Sequence, residues 1–469
     1  MRSSMRLEHG VWLGAVGIFI SLLFPAAIFA GATSVASAVR LPGAIAASEA
    51  QAEAIRNVVA VLRPARPAAA ELMASRLAIL GAGHIPAIFQ IFHRGAAPGP
   101  DGSAEAKDVA LEPAQERALL LAMKRMGPAV NRYFRELSRL SGDREVRMSA
   151  VRALGEIASS AELRLMLDLT RPKPEEISPA DSIAVTEELS DADADRFRAA
   201  IEAMLLRDAD ALAQVESLLP LAEAEYASPM IHAVANQNSR SALAVLTRHL
   251  GSRQELDGLL LTDIGKCAAA QPAPFTQDVN AAVRRYLSAS TAELVREAAL
   301  VIGRLEDSDA LPNLVTLLSH SDRGVRQNAH WSLKRITGLY FAADPKAWSP
   351  WLELEMAWWR DTAPKLFEKL ERAPIGEAMA SVQQIARRRY PRHTLAGELT
   401  RALTHPEAEV RRLACVALGQ FRSRPAVEGL INVLDDPDPE LRAAAHRALR
   451  SITGTDLPPE RASWIAAGL

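Results

Sequence analysis

The sequence predicts an all-α fold: an α-solenoid of tandem helical hairpins that follows an N-terminal signal or anchor segment. Three observations carry that expectation. The chain aligns with itself at an offset of 116 residues, 294–338 on 410–454 without a gap, and AHWSLKRITG (329–338) matches AHRALRSITG (445–454). Inside each block lies a shorter period of 31 residues, from Leu294 to Val325 and from Val410 to Leu441. Apolar or small residues then recur at +4, +8 and +11 within each unit. The sets are Val146/Ala150/Leu154/Ile157, Leu294/Ala298/Ile302/Leu305, Val325/Ala329/Leu333/Ile336, Val410/Ala414/Leu418/Phe421 and Leu441/Ala445/Leu449/Ile452. At about 100° per residue these positions form one buried helical stripe, and the central alanine admits a close neighbour. Paired helices that bury their faces only against adjacent pairs stack into a solenoid.

Composition agrees and excludes other classes. Of 469 residues, 49% are apolar and the net charge is −2, which rules out general disorder. With 54 basic and 56 acidic residues, no global attraction to phosphate exists, and nucleic acid is not expected as a partner. Cys267 and Cys415 are too few and too separated for a disulfide framework.

The N-terminal element, 1–38, has Arg2 and Arg6 before an uncharged run to Val39, with small residues at 30–32 and 36–38. That is the pattern of a cleaved secretory signal; residues 11–32 are also long enough for a retained anchor. Either way the charge bias exports the body, to the periplasm or to the outer side of the inner membrane. Residues 48–170 read as N-terminal repeat helices (49–62, 69–80, 85–93 and 113–140), with a Gly/Pro loop at 96–103. Residues 171–198 read as an acidic linker. Residues 199–338 continue the array through helices at 199–219, 241–250, 254–269 and 276–287. A Trp-rich insert occupies 339–372, and further repeats occupy 373–469. Three residues before each stripe stand Asp143, Thr291, Asp322, Glu407 and Asp438, where negative charge favours a helix start and Asp or Thr can cap it. Arg147, Arg326, Arg411 and Arg442 follow the first stripe residue and are expected to point off the stripe. No strand is read.

The segment VRRLACVALGQF…AVEGLINVLDDPDPELRAAAHRALRSITG (410–454) resembles HEAT repeats, in particular the short kind also found in phycobilisome-lyase-like proteins. The resemblance covers 294–338 and 410–454, extends to 143–170, and implies a right-handed α-solenoid that holds other macromolecules. It transfers no catalytic residue, because such repeats share packing positions rather than site positions.

Candidate sites follow. Five of seven tryptophans lie between Trp331 and Trp359, and Trp348, Trp351, Leu354 and Trp358 keep helical spacing beside Trp359. Aromatics dominate binding hot spots, so Trp348, Trp351, Trp358 and Trp359 form a candidate partner surface. The other reading is packing against the array itself, which the parallel position of Trp464 after the second ITG supports. Arg387, Arg388 and Arg389, continued by Arg392 and His393, form the densest basic run. It is a candidate contact for anionic partners, against the alternative of a helix C-terminus stopped by Pro391. Asp191, Asp193 and Asp195 have calcium-loop spacing, but Arg196 stands where such a loop needs glycine, and Ser190 with Asp193 reads more simply as an N-cap. His330 and His446, 116 apart, read as a shared packing position. Asp263 and Cys267 lie four apart without a visible base. No His-Glu dipeptide, phosphate loop or nucleophile elbow occurs, and no catalytic residue, cofactor or metal is expected. The expected function is therefore a non-enzymatic scaffold of a bacterial cell envelope that binds protein partners, through a concave face formed by the second helices. A lyase-like or hydrolase site in the groove and a purely structural spacer are the alternatives.

Overall fold

Residues 47–60, 67–94, 111–171, 189–388 and 390–469 are described by a computed structural model. The signal or anchor segment 1–38, the loop 96–103, linker residues 172–188 and Arg389 lie outside them. Among the described residues there are 24 α-helices and no strand.

The long first helices pack each on the next: Pro113–Met126, Arg144–Ile157, Asp191–Arg207, Ala224–Ala235, Gln254–Ala269, Ala292–Leu305 and Arg323–Thr337. A second run comprises Ile375–Ala386, Ala408–Phe421 and Pro439–Thr453. Shorter second helices, such as Leu163–Thr170, Leu311–Leu317 and Val427–Val433, return the chain between them. The predicted stripes are buried, with only Ile157, Leu294 and Ile452 half-buried. Asp143, Thr291, Asp322 and Asp438 each cap their helix by accepting a backbone N–H, at 3.2, 3.5, 2.8 and 2.9 Å. Glu407 makes no such bond; its extra methylene carries the carboxylate past the first-turn N–H groups, leaving only the charge effect.

In three of the five stripes a glycine follows the third stripe residue and sets the spacing to the next helix. A Cβ built on Gly155 would lie 2.6 Å from the Ala200 backbone. One on Gly419 would lie 3.2 Å from Ala448 Cα, and one on Gly303 would collide with Ser332. Gly265 follows the same rule within Leu256/Leu260/Ile264, where a Cβ would be 3.0 Å from Val301. The carbonyls of three of these glycines are used by the next repeat: Arg207 donates to Gly155 O at 2.9 Å, Arg335 to Gly303 O at 3.1 Å and Ser451 to Gly419 O at 3.0 Å.

Four expectations change. The arginines after the first stripe residue do not point away: Arg326, Arg411 and Arg442 each donate to two carbonyls of the preceding turn at 2.6–2.9 Å. Arg147 is fully buried and donates to Ser141 O and Leu169 O. A guanidinium fork satisfies turn carbonyls that no backbone N–H reaches. The stretch 113–140 is two helices, because Gly127 has φ +57° and Pro128 then starts a new one. The acidic residues of 191–198 belong to helix Asp191–Arg207, not to the linker. Ser190 caps it, and Asp191 and Asp193 sit in the first turn, where the helix dipole favours them. That helix packs on Arg144–Ile157, with Arg144 on Asp193 at 2.6 Å, so the row of first helices runs on past the linker. Ala224–Ala235, unread in the sequence because Pro229 lies inside it, is a full first helix with Tyr226, Met230 and Val234 buried.

Substituting Gly155→Ala is expected to lower the unfolding free energy by about 1–3 kcal/mol through overpacking. In Arg392–Leu399, Gly397 has nothing within 4 Å of a built Cβ, so Gly397→Ala is expected to raise stability by up to ~1 kcal/mol. Urea unfolding of the two variants checks both signs.

Candidate protein-binding site

The tryptophan segment starts where helix Arg323–Thr337 ends. Gly338, at φ +72°, turns the chain in the left-handed region, which glycine adopts without steric cost. Thr337 Oγ1 accepts from Leu339 N at 3.1 Å and donates to Leu333 O at 2.7 Å. The chain then runs back along its own helix, and His330 Nε2 donates to Phe341 O at 2.8 Å. Asp344 caps the next helix, Pro345–Asp361. Trp348, fully buried, donates its indole N–H to Ala342 O at 2.9 Å and meets His330, Phe341 and Trp351 edge-on.

The same device recurs 116 residues later. His446 donates to Leu457 O at 2.7 Å, buried Trp464 donates to Pro458 O at 2.8 Å, and Gly454 has φ +71°. His330 and His446 are therefore struts of a fold-back, and Pro345–Asp361 is the second helix of its repeat, placed as Arg461–Ala466 is in the later copy.

This geometry divides the candidate residues. Trp348 belongs to the core and is unavailable to a partner. Trp359 is half-buried, packs on Phe367 at 5.8 Å between ring centroids, and lies against the C-terminal core. Trp351 and Trp358 are half-buried as well, and Trp358 also packs on the C-terminal core, but both line an open cleft of about 490 Å³ with Leu354, Glu355, Asp361 and Arg388. Leu354 is 73% and Met356 55% exposed. Arg388 lies 4.3 Å over the Trp358 ring and pairs with buried Glu355 at 2.7 Å. Burial pushes the Glu355 carboxyl up, and the Arg388 pair offsets this only in part.

The basic run is dispersed rather than gathered. Arg387 is exposed at the end of Ile375–Ala386. Arg388 is turned inward as described, and Arg392 and His393 lie on Glu306 at 2.6 and 3.1 Å. Tyr390 donates to Ser308 O at 2.7 Å, and His393 Nδ1 is 2.7 Å from Ser423 Oγ. The loop therefore ties the turn at 306–308 to that at 423. Burial opposes ionisation of Glu306, but the His393 hydrogen bond and the Arg392 charge outweigh it and hold the carboxyl below its usual range. Ser423 is fully buried, which closes it as a nucleophile.

Other candidates resolve as packing. Asp193, Asp195 and Glu202 are engaged by Arg144, Arg196 and Arg198 instead of converging. Cys267 faces Ser239 O, and burial pushes its thiol up to about 11. On the same helix, buried Asp263 is engaged by His232 Nδ1 at 2.5 Å and, through its other oxygen, by Lys266 at 2.8 Å. Among the described residues no group of three or more His, Cys, Asp or Glu is placed to hold a metal. Glu355 and Asp361 were not foreseen; the i, i+3, i+7 spacing of Trp351, Leu354 and Trp358, with Glu355 between and Asp361 three residues beyond, is the signal that marks them.

The fold is that of a helical repeat protein. The model of the HEAT repeats family matches residues 280–350 and 364–464, and the chain carries HEAT repeats over these two stretches. Solved structures similar to this chain include two engineered proteins and importin beta. The first engineered protein is 18% identical, with 86% of this chain and 95% of that chain covered and a TM-score of 0.25. The second is 18% identical, with 68% and 96% covered and a TM-score of 0.16. Importin beta, crystallised in an ammonium sulfate condition, is 14% identical, with a TM-score of 0.30 and 82% of this chain covered. The chain spans about half the length of that importin beta, 54%. No curated protein matches the sequence.

Trp348→Ala and Trp464→Ala are each expected to cost about 3–5 kcal/mol of stability. Trp358→Ala, on a partly exposed ring that packs on the C-terminal core, should cost less, about 1–3 kcal/mol. Thermal unfolding ranks the three. The carboxylates of half-buried Glu306 and buried Glu355 should respond to pH with opposite sign. Glu306, with its folded pKa lowered, stabilises above the ordinary glutamate value, and that contribution is lost as pH falls from there through the lowered folded value. Glu306→Gln should therefore cost about 1–3 kcal/mol near neutrality and flatten the acid limb. Glu355, with its folded pKa raised, loses favour as pH rises through the ordinary value, so Glu355→Gln should lessen that loss. Melting temperatures between acid and neutral pH read both.

Proposed function

We propose that this protein is a binding scaffold rather than an enzyme. It is exported or membrane-anchored, its repeat array lies outside the cytoplasm of a bacterial envelope, and its tryptophan cleft holds a protein partner. One observation carries the binding part: Leu354, 73% exposed, stands on one helix face between the partly exposed Trp351 and Trp358, whereas their neighbour Trp348 and its repeat counterpart Trp464 are fully buried. Partly exposed indoles around an exposed leucine, beside a recessed ion pair, are the composition of an interface hot spot, with apolar area at the centre and polar groups at the rim.

Export is supported by Arg2, Arg6 and the uncharged run that follows them. Among the described residues no single helix is long and apolar enough to cross a membrane, and the proposal uses residues 11–32 as leader or anchor.

Two experiments test it. Alkaline phosphatase fused after Leu469 should be active in a bacterial host and lose activity when residues 1–38 are deleted; equal activity without them would remove the envelope from the account. A Leu354→Ala/Trp358→Ala variant of unchanged helicity should lose the partner captured by crosslinked purification from the native envelope. An unchanged set of captured proteins would return these residues to packing.

A further inference from the structure

We propose that the groove between helices Ala408–Phe421 and Pro439–Thr453 is a second binding surface, which takes an acidic peptide segment of a protein partner. The inference rests on the protein-binding reading of the array but not on the tryptophan cleft. Two open clefts, of about 520 and 360 Å³, share Arg447 and Ser451 and so form one trough. The first is lined by Arg422 and Val416 and contains no acidic residue; the second adds Arg450, Thr455 and Asp456. Arg422 and Arg447 are exposed, and among the described residues neither has a carboxylate within ion-pairing distance. Arg450 is paired with Asp456 at 2.9 Å, both well exposed. The trough is thus distinctly positive in a chain whose net charge is −2.

The other copy of the repeat shows what closes such a trough. At an offset of 116, Arg447 corresponds to Trp331, Arg422 to Glu306 and Ser451 to Arg335. There the Trp331 ring lies over Gly303, 2.6 Å from where a Cβ would stand. Arg335 stacks over that ring at 5.7 Å and lies 3.8 Å from Glu306, which is itself held by Arg392 and His393. The space is filled and its charges are matched. In the later copy a Cβ on Gly419 would meet only Ala448, and the arginines are left unmatched.

The chemistry of the walls selects the occupant. Guanidinium forks bind carboxylates in two-point contacts. Val416, 48% exposed, offers apolar surface to an aliphatic side chain between the acids. Ser451 donates to Gly419 O and keeps its oxygen free to accept a peptide N–H. The lining has no aromatic ring on which a base could stack, which disfavours single-stranded nucleic acid.

The test is an anisotropy titration of the full chain with a short fluorescein-labelled peptide of alternating Glu and Leu. Its Gln/Leu counterpart and phosphatidylglycerol vesicles serve as competing arms. Arg422→Gly removes one cation and relieves its φ of +49°; Arg447→Trp installs the residue of the closed copy. The acidic peptide should bind, weaken as salt is raised, lose about tenfold or more in affinity in either variant, and be unaffected by Trp358→Ala. The proposal is overturned if the Gln peptide binds equally, if the vesicles are bound in its place, or if both variants, with helicity unchanged, bind like the parent chain. Failure here leaves capture at the tryptophan cleft standing, because that capture is read separately in the envelope; failure of that capture leaves the titration standing.

Discussion

The close approach of successive first helices is the constraint on which the rest depends. At Gly155, Gly265, Gly303 and Gly419 the neighbouring helix lies where a Cβ would be. Only the smallest residue lets ridge meet groove at that distance. From this contact follow the buried alanine of each stripe and the glycine carbonyls taken up by the next repeat. Arg147, Arg326, Arg411 and Arg442 pin the preceding turns and hold those four helix starts in register with it. A solenoid has no single core to fall back on, so each interface must be tight by itself.

Within that frame the protein uses one larger unit twice: a helix ending at an αL glycine, a strap held by a histidine, and a buried tryptophan that locks the strap. The two copies keep the same internal hydrogen bonds, within 0.1 Å at both His and Trp. They differ outside. The earlier copy extends its second helix into the Trp351/Trp358 cleft and closes its outer groove with Trp331. The later copy has a short second helix and an open groove lined by arginines. Interior positions are held by packing and hydrogen bonding, so divergence is confined to residues that face away from the fold-back.

Much of this was legible in the sequence because packing has a period. The stripes, the caps at Asp143, Asp322 and Asp438, and the shared role of His330 and His446 all follow from helical spacing and the 116-residue offset. The site was only half legible. Helical spacing placed Trp348, Trp351 and Trp358 on one element, but which indole faces inward depends on the strap that folds back over His330, a contact across eleven to eighteen residues. The dispersal of the basic run was hidden for a similar reason. Arg388 and Arg392 find Glu355 and Glu306 only after the chain has folded, and those pairings are 33 and 86 residues apart in sequence. Arg147 was misread because a helical wheel shows an off-stripe position but not the turn carbonyls beneath it.

The most direct test of the account is site-specific photocrosslinking in the native envelope. A photoreactive residue at Leu354, 73% exposed beside the tryptophan cleft, is compared with one at Leu206, 81% exposed and equally apolar but on the distant helix Asp191–Arg207. A scaffold that captures its partner at the cleft gives a discrete protein adduct from position 354 and none from 206. Equal labelling from both positions, or none from either, would contradict it.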